Sequence, residues 1–208
     1  IIMRKILGLE LPSEKVFLAQ KWMTWRANLA SKIVIVASNI LDTMVKSLRI
    51  KEAECYDIAS LVIDGADCIQ LTNETSTGMY PEKAVQQLAK ICCEAEYTLD
   101  YTEMFNEIKL SSPSSYGTAE ACAASVVQTC IDMSIGLIIV QTENGNCARL
   151  VAKYRPNAKI FACTFPSLVV RQLQPVRGVI AHQLGVEHED AADITSVMVA
   201  EAKKQKLC

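Results

Sequence analysis

Several sequence features that define large functional classes are missing from this chain. It has only two histidines, His182 and His188, and its nine cysteines form no C-x-x-C pair, so the usual spacing of a structural zinc site is absent. No run of consecutive basic residues is longer than two, and the net charge is −2, which excludes the basic surface of a nucleic-acid-binding protein. No apolar run approaches the about 20 residues of a membrane span. Neither a nucleic-acid partner nor a membrane partner is indicated.

The cysteines are odd in number, and many of them lie inside apolar runs. Free cysteine usually behaves as a small buried hydrophobic residue, and lasting disulfides belong to oxidising compartments. Residues 1–11 include Arg4, Lys5 and Glu10, so their apolar stretch is too short for a secretory signal. We therefore expect structural thiols and a cytoplasmic protein. Because the chain begins with Ile1 rather than Met, we also expect it to start inside a longer reading frame.

Length and composition limit the architecture. Half of the residues are apolar and 21% are charged, a balance typical of a folded protein with a sizeable core. The 208 residues exceed a typical domain of about 100–150 residues but fall short of the about 250 residues of a closed (β/α)₈ barrel. One whole domain and part of another fit this length best.

Apolar patterns predict three strand–helix units in the first half of the chain. Residues 33–37 form a continuous β-branched run, which is typical of a strand buried on both faces of a parallel sheet. Pro12 and Glu14 mark a helix start, because the first helical turn tolerates proline and favours a carboxylate. The predicted elements are a strand at 1–7, a helix from 12 to about 31, a strand at 33–37, a helix at 51–63, a strand at 66–71, a polar loop at 73–78 and a helix from 81 to about 101.

A stretch rich in Ser, Pro and Gly at 111–117 predicts a linker, and Thr118 follows it as a helix start. The alternation then resumes, which indicates a small open α/β sheet. Its predicted elements are helices at 118–132, 147–154, 167–173 and 191–204, and strands at 137–140, 159–163 and 178–181. We therefore expect one domain at 1–110 and a second at 118–208.

Three groups of residues resemble the pyruvate kinase family. Residues 7–12 (Leu-Gly-Leu-Glu-Leu-Pro) and 14–21 (Glu-Lys-Val-Phe-Leu-Ala-Gln-Lys) are similar to the family segment around the sixth barrel strand and its helix. Residues 64–69 (Asp-Gly-Ala-Asp-Cys-Ile), followed by Glu-Thr at 74–75, Gly at 78 and Tyr-Pro at 80–81, are similar to the eighth-strand segment and its loop. Residues 152–157 (Ala-Lys-Tyr-Arg-Pro-Asn) resemble the Tyr-Arg-Pro motif of the family's carboxy-terminal domain. These runs occur in the family's order along essentially the whole chain, which is thereby identified as a member.

The resemblance implies an α/β fold in two parts. The first is a partial (β/α)₈ TIM barrel made of the last three βα units, and the second is a small open α/β sheet domain of the pyruvate kinase carboxy-terminal type. About five of the eight barrel strands would then be missing. The final strands of the second domain would be missing as well, so we expect both ends to be truncated.

The resemblance also implies phosphoryl transfer from phosphoenolpyruvate to ADP, giving pyruvate and ATP, with Mg²⁺ and usually K⁺. The family's Ala-Arg-Gly-Asp-Leu-Gly loop aligns with residues 3–8 (Met-Arg-Lys-Ile-Leu-Gly). Arg4 keeps the family residue and is a predicted substrate-site position. Ile6 stands where the family has its metal-binding Asp, and an aliphatic side chain cannot ligate a hard cation. We expect this chain alone to bind neither cation.

A second predicted substrate-site position is Ser38, which aligns with a substrate-site threonine of the family and keeps its hydroxyl. It follows a barrel strand, where active sites of this fold gather; an ordinary polar strand end is the other interpretation. Glu52 replaces a basic family residue, and Asn73 replaces a family glycine beside the retained Glu74. The family's catalytic lysine, its other metal carboxylate and its K⁺ ligands align before Ile1.

Residues 142–147 align with a loop that binds an effector phosphate in regulated relatives. Thr142, Asn144, Gly145 and Asn146 are compatible with that role through hydroxyl, amide and backbone N–H groups. Glu143 would repel a phosphate, so a plain turn into a helix is the favoured interpretation.

Three functional hypotheses remain. The chain is part of a pyruvate kinase acting on phosphoenolpyruvate and ADP or ATP; or it is a truncated, catalytically inactive relative that forms homo- or hetero-oligomers with pyruvate kinase subunits; or it is a phosphometabolite sensor. Ile6, Lys5 and Glu52 favour the second over the first, because truncation does not explain substitutions within the retained part. Glu143 disfavours the third.

Overall fold

The computed structural model describes residues 1–112, 117–185 and 191–207. The chain divides into two compact units, Ile1–Leu99 and Asp100–Cys208. Most of the predicted linker at 111–117 lies outside the described residues, as do His188 and Cys208. The division between the units lies between Leu99 and Asp100, before the linker that the sequence predicts.

The first unit is a parallel sheet of three short strands covered by helices. The strands follow the sequence order β1-β2-β3, with Ile2 beside Val36 and Val36 beside Ile69. The unit contains β1 (Ile2–Met3), α1 (Arg4–Glu10), α2 (Ser13–Leu29), β2 (Ile35–Ala37), a 3-10 helix (Asp42–Val45), α3 (Glu52–Ile63), β3 (Cys68–Gln70), α4 (Asn73–Ser76) and α5 (Pro81–Tyr97). The three predicted strand–helix units are confirmed.

The core of the first unit lies between the sheet and its helices. Its fully buried apolar side chains come from β2, from the segment that follows it and from α3, and they include Val36, Ile40, Leu41, Met44 and Ile58. The helix α2 contributes polar groups to its buried face: Gln20, Thr24 and Asn28 are buried at four-residue spacing. The Thr24 hydroxyl donates to the Gln20 backbone carbonyl oxygen at 2.9 Å, and the Asn28 amide donates to the Gly65 carbonyl oxygen at 3.0 Å.

Three elements of the first half differ from the prediction. The predicted strand at 1–7 is wrong beyond Met3, because residues 4–10 form α1. The polar loop predicted at 73–78 contains the short helix α4. The long helix predicted to about residue 101 ends at Tyr97, and a new helix begins where the Asp100 carboxylate accepts the N–H groups of Thr102 (2.9 Å) and Glu103 (3.0 Å). The first N–H groups of a helix have no partner within the helix, and an N-cap side chain accepts hydrogen bonds from them.

The second unit is also built on a parallel sheet, with β5 between β4 and β6. Its described residues contain α6 (Tyr101–Ser111), α7 (Thr118–Asp132), β4 (Leu137–Gln141), α8 (Asn146–Lys153), β5 (Lys159–Thr164), α9 (Ser167–Leu173), β6 (Val179–Gln183) and α10 (Ala191–Lys204). The bounds predicted for α7 and α9 are confirmed, and α10 ends at Lys204 as predicted. Every residue of β5 after Lys159 is buried, because β5 is the central strand of this sheet.

The helix α6 belongs to the second unit, although the sequence places its residues in the first domain. Phe105, on α6, is 1% exposed, and its ring centroid lies 5.6 Å from that of the fully buried Tyr154. The sequence of a helix predicts which of its faces is apolar, but it does not predict which core that face packs against. The aromatic contact with Tyr154 is one of the contacts that join α6 to the second unit.

The cysteines fall into different environments within the described residues. Cys130 and Cys163 are buried, as expected for structural thiols. Cys93, which the sequence also assigns to an apolar run, is exposed, as are Cys122 and Cys147. An apolar run on a helix turns part of its residues toward solvent, so a run alone does not determine burial.

Candidate functional site

The segment that follows β2 has an unusual backbone. Ser38, Asn39 and Leu41 have φ angles of 73°, 56° and 53°, in the left-handed region. Residues with a Cβ seldom adopt this region, and each such residue costs about 1 kcal/mol or more. The turn places Ile40 and Leu41 in the core of the first unit, where both side chains are buried. Core packing and specific hydrogen bonds together must therefore hold this segment.

Arg4 supplies those hydrogen bonds from the first turn of α1. Its Nε donates to the Ser38 carbonyl oxygen at 3.0 Å, and its Nη2 donates to the Asn39 carbonyl oxygen. Its Nη1 forms an ion pair with the Asp57 carboxylate of α3 at 2.6 Å. The Arg4 side chain is only 11% exposed. The guanidinium thus links α1, the segment after β2 and α3.

The structure brings together the two predicted substrate-site residues, Arg4 and Ser38. The hydrogen bond joins the Arg4 Nε to the backbone carbonyl of Ser38 rather than to the Ser38 hydroxyl. All three guanidinium nitrogens of Arg4 take part in contacts within the protein. These contacts make Arg4 a support of the turn, and the substrate roles of both residues stay predictions.

The position of the family's metal-binding carboxylate does not fit a divalent cation. Ile6 lies on α1 with its side chain 51% exposed, and it offers no oxygen ligand. Within residues 1–112, 117–185 and 191–207, no group of three or more His, Cys, Asp or Glu side chains has the arrangement of a metal site.

Glu54, in the first turn of α3, binds the same segment farther along. Its carboxylate accepts the Thr43 N–H at 2.9 Å, the Lys51 N–H at 3.1 Å and the Thr43 hydroxyl. Burial opposes ionisation of the carboxyl group, but these hydrogen bonds outweigh it and lower the pKa of Glu54 below its ordinary value. The carboxylate form is therefore the one that holds the 3-10 helix.

Asp42 and Glu74 form a second acidic contact at the carboxyl ends of β2 and β3. Glu74 is 1% exposed and accepts the Thr72 N–H at 2.6 Å. Burial, a hydrogen bond with Glu74 and the negative charges of Glu74 and Glu54 raise the pKa of Asp42. The protonated form of Asp42 is favoured, because a negative charge beside other carboxylates in a partly buried site is costly.

Sequence reasoning missed the roles of Asp42, Glu54 and Asp57. One signal was available: Glu54 follows Lys51 by three residues and Asp57 follows Glu54 by three, a spacing that places all of them on one side of the helix start. The target of each carboxylate is distant in sequence, and no local pattern reveals it.

The predicted phosphate-binding loop, between β4 and α8, satisfies its own N–H groups. The Thr142 hydroxyl accepts the Gly145 N–H at 3.0 Å, and the Asn144 side-chain oxygen accepts the Asn146 N–H at 3.0 Å. Gly145 has a φ of 79°, where glycine is favoured. Two of the donors that would bind an anion are thus occupied, which favours the turn interpretation.

The residues around the Tyr-Arg-Pro sequence form a buried contact. The Lys153 side chain is 2% exposed and its Nζ lies 2.5 Å from the Glu120 carboxylate of α7. The Tyr154 hydroxyl lies 3.4 Å from the same oxygen. This part of the motif therefore joins α7 to the end of α8.

Comparison with known proteins assigns both units to one family. The family model described as pyruvate kinase, barrel domain, matches residues 1–85, and the one described as pyruvate kinase, alpha/beta domain, matches residues 120–208. A probable cytosolic pyruvate kinase isozyme of Arabidopsis thaliana is 45% identical over 168 residues, which are 81% of this chain and 34% of that protein. A pyruvate kinase of Dictyostelium discoideum is 44% identical over 183 residues, or 86% of this chain and 36% of that protein.

Solved structures agree with these matches. A crystal structure of a pyruvate kinase from Cryptosporidium parvum covers 100% of this chain with a TM-score of 0.95 and 41% identity, while the chain covers 42% of it. A Cryptosporidium parvum pyruvate kinase in complex with ADP has a TM-score of 0.90 and 40% identity, with coverage of 99% and 41%. The chain spans about a third of the length of the curated relatives it matches. None of the helices in the described part of the chain is long and apolar enough to cross a membrane.

Proposed function

The chain belongs to the pyruvate kinase family, and on that basis we propose that it serves phosphoryl transfer from phosphoenolpyruvate to ADP but does not catalyse this reaction alone. The ADP complex of a relative supports ADP as the nucleotide. The observation that carries the second part is Ile6, an aliphatic residue at the family's metal-binding position. Because phosphoryl transfer depends on cations and positive side chains that neutralise the transferred group, this substitution removes a central requirement.

The contacts of Arg4 support the same proposal. A guanidinium that stabilises a transferring phosphoryl group must direct free N–H groups at it. Three of the five N–H groups of Arg4 are directed at Ser38, Asn39 and Asp57, so at most two remain for a phosphoryl group. In the family the reaction uses Mg²⁺ and usually K⁺, and we propose that neither is bound by this chain alone. Relatives named as cytosolic isozymes support a cytoplasmic location.

The test is an assay of pyruvate formation from phosphoenolpyruvate and ADP at saturating Mg²⁺ and K⁺. We expect no turnover from the purified chain, and no recovery in the Ile6→Asp variant, because a single restored carboxylate gives Mg²⁺ too few ligands. Turnover that copurifies with the chain through two columns and falls in the Ser38→Ala variant would contradict the proposal.

A second candidate function is association with pyruvate kinase subunits. The observation that favours it is the exposure of three apolar residues on α2, Phe17, Leu18 and Trp22, which are 61%, 55% and 64% exposed, while the polar residues Gln20, Thr24 and Asn28 of the same helix are buried. Exposed aromatic residues are enriched at protein–protein interfaces.

Light scattering after gel filtration tests this association, alone and after mixing with the full-length Cryptosporidium parvum pyruvate kinase. We expect the chain to form an oligomer or a mixed complex that the Phe17→Ser, Trp22→Ser double variant loses. A Val126→Ser variant is the matched control, because Val126 is an exposed apolar residue on α7. A monomer under both conditions would contradict this function.

A further inference from the structure

The left-handed segment after β2 requires an external support. Three of its four residues from Ser38 to Leu41 have positive φ angles, and none of them is glycine. Such a conformation persists only where the surroundings over-determine it. The two carbonyl oxygens that this turn directs at Arg4, those of Ser38 and Asn39, identify the support.

Arg4 can provide this support only while its charge is compensated. The side chain is almost completely buried, and a buried cation without a partner is costly. Carbonyl oxygens supply partial charge, whereas the Asp57 carboxylate at 2.6 Å supplies a full one. The planar guanidinium that bonds to Asp57 through Nη1 directs its Nε and Nη2 at the turn.

The same helix holds the far end of the segment. Glu54 lies three residues before Asp57, so both carboxylates project from neighbouring positions of the first turns of α3. Glu54 accepts the N–H and the hydroxyl of Thr43, two residues after the turn ends. The start of α3 thus binds the segment at both ends, through Arg4 at one end and directly at the other.

We infer that Asp57 and Glu54 are positioning residues for the Ser38 site: Asp57 through Arg4 supports the left-handed turn at residues 38–41, and Glu54 through Thr43 holds the start of the 3-10 helix that follows it. Neither the comparisons nor the family motifs assign them this role. The importance of Ser38 for substrate rests on the proposed function, whereas the dependence of the segment on the two carboxylates does not.

Hydrogen–deuterium exchange followed by mass spectrometry tests the inference in the full chain. The variants are Asp57→Ala, Asp57→Asn, Asp57→Glu and Glu54→Gln. The matched control is Asp64→Asn, since Asp64 ends the same helix and pairs with Lys21 at 3.0 Å, away from the segment. Peptides covering residues 38–45 report on the segment, and peptides covering β3 and α5 report on the rest of the unit.

We expect Asp57→Ala to accelerate exchange in residues 38–45 about tenfold, because a hydrogen bond to a charged group is lost. Exchange in β3 and α5 should stay unchanged. Asp57→Asn should have a smaller effect, because the amide oxygen still accepts from Arg4, and Asp57→Glu should restore most of the protection. Glu54→Gln should affect mainly residues 42–45, and Asp64→Asn should leave the segment unaffected.

Unchanged exchange of residues 38–45 in the Asp57 and Glu54 variants would overturn the inference. An equal increase throughout the first unit would also overturn it, because the carboxylates would then serve general stability. If Asp57→Ala does not fold, Asp57→Asn and Arg4→Lys decide, since Lys keeps the charge but lacks the planar donors that reach two carbonyls. The turnover assay is independent, so failure of the proposed function leaves this result interpretable.

Discussion

Lys153 and Glu120 form an ion pair that joins α8 to α7, with the Lys153 Nζ 2.5 Å from the Glu120 carboxylate and the lysine side chain 2% exposed. Glu120→Ala should destabilise the second unit by about 3 kcal/mol, because it leaves a buried charge without its partner. Urea denaturation followed by far-UV circular dichroism measures the loss. Lys204→Ala is the control, since its pair with Glu201 is exposed, and it should change stability by less than about 0.5 kcal/mol.

Gly65 and Asn28 are too close for any side chain at position 65. Gly65 has a φ of 91°, and a Cβ there would lie 2.6 Å from the Asn28 side-chain nitrogen. We expect Gly65→Ala to destabilise the first unit by about 1–3 kcal/mol, through backbone strain and loss of the Asn28 hydrogen bond. Gly136→Ala is the matched control, because nothing lies within 4 Å of that position. Equal melting temperatures for the two variants would contradict this account.

Asp42 should make the stability of the first unit depend on pH. Its pKa is raised by burial and by Glu74, so the stability it contributes is complete below the unfolded pKa of about 3.9 and is lost as the pH rises through the folded value. Asp42→Asn should therefore stabilise the protein at pH 7 and lose this advantage on acidification toward pH 4.

Glu54 provides a control, because its contribution to stability should change with pH in the opposite direction to that of Asp42. Its pKa is lowered, so its contribution is present above the unfolded pKa and is lost as the pH falls through the folded value. Glu54→Gln should thus destabilise the protein at pH 7 and less so in acid. Urea titrations of both variants from pH 4 to pH 8 measure the two trends. Parallel pH profiles for the two variants would show that Asp42 is not paired with Glu74.

Phe105 should report to which unit α6 belongs. Phe105→Ala removes the ring that contacts Tyr154 and should cost about 3–4 kcal/mol, as expected for a buried aromatic residue. Hydrogen exchange should increase in α8 and β5 but not in β2 or α3. Tyr97→Ala, at an exposed position, is the control. Increased exchange confined to the first unit would support the predicted boundary at residue 110.

Cys163 should resist alkylation. Burial, and secondarily the Glu201 charge, raise the pKa of this thiol to about 12, and only the thiolate reacts as a nucleophile. At pH 8 we expect Cys93, Cys122 and Cys147 to be alkylated first, because their side chains are exposed. Intact mass against time and peptide mapping measure the order. Rapid modification of Cys163 in the folded chain would contradict its burial.

Elements that carry their own signals could be predicted from the sequence. The β-branched run at 33–37 contains β2, and helix α7 begins at Thr118 as expected. These features depend on residues that are close together in the sequence, so the sequence alone is enough to predict them.

Features that depend on distant partners could not be predicted. The predicted strand covers residues 1–7, yet a helix starts at Arg4, and the Arg4 side chain contacts residues 38, 39 and 57. The family alignment draws attention to Arg4 and Ser38 but says nothing of Asp57. Tertiary contacts override local propensity in such places, and they do so at the candidate site.

The position of the tryptophans on α2 also determines what the intrinsic fluorescence of the protein reports. The chain has two tryptophans, Trp22 and Trp25, and both lie on α2 in the first unit. The Arg26 guanidinium lies 5.7 Å from the Trp22 ring centroid, so the indole has both solvent and a cation as neighbours. Tryptophan fluorescence will therefore report on unfolding of the first unit alone, and unfolding of the second unit will leave the tryptophan emission unchanged.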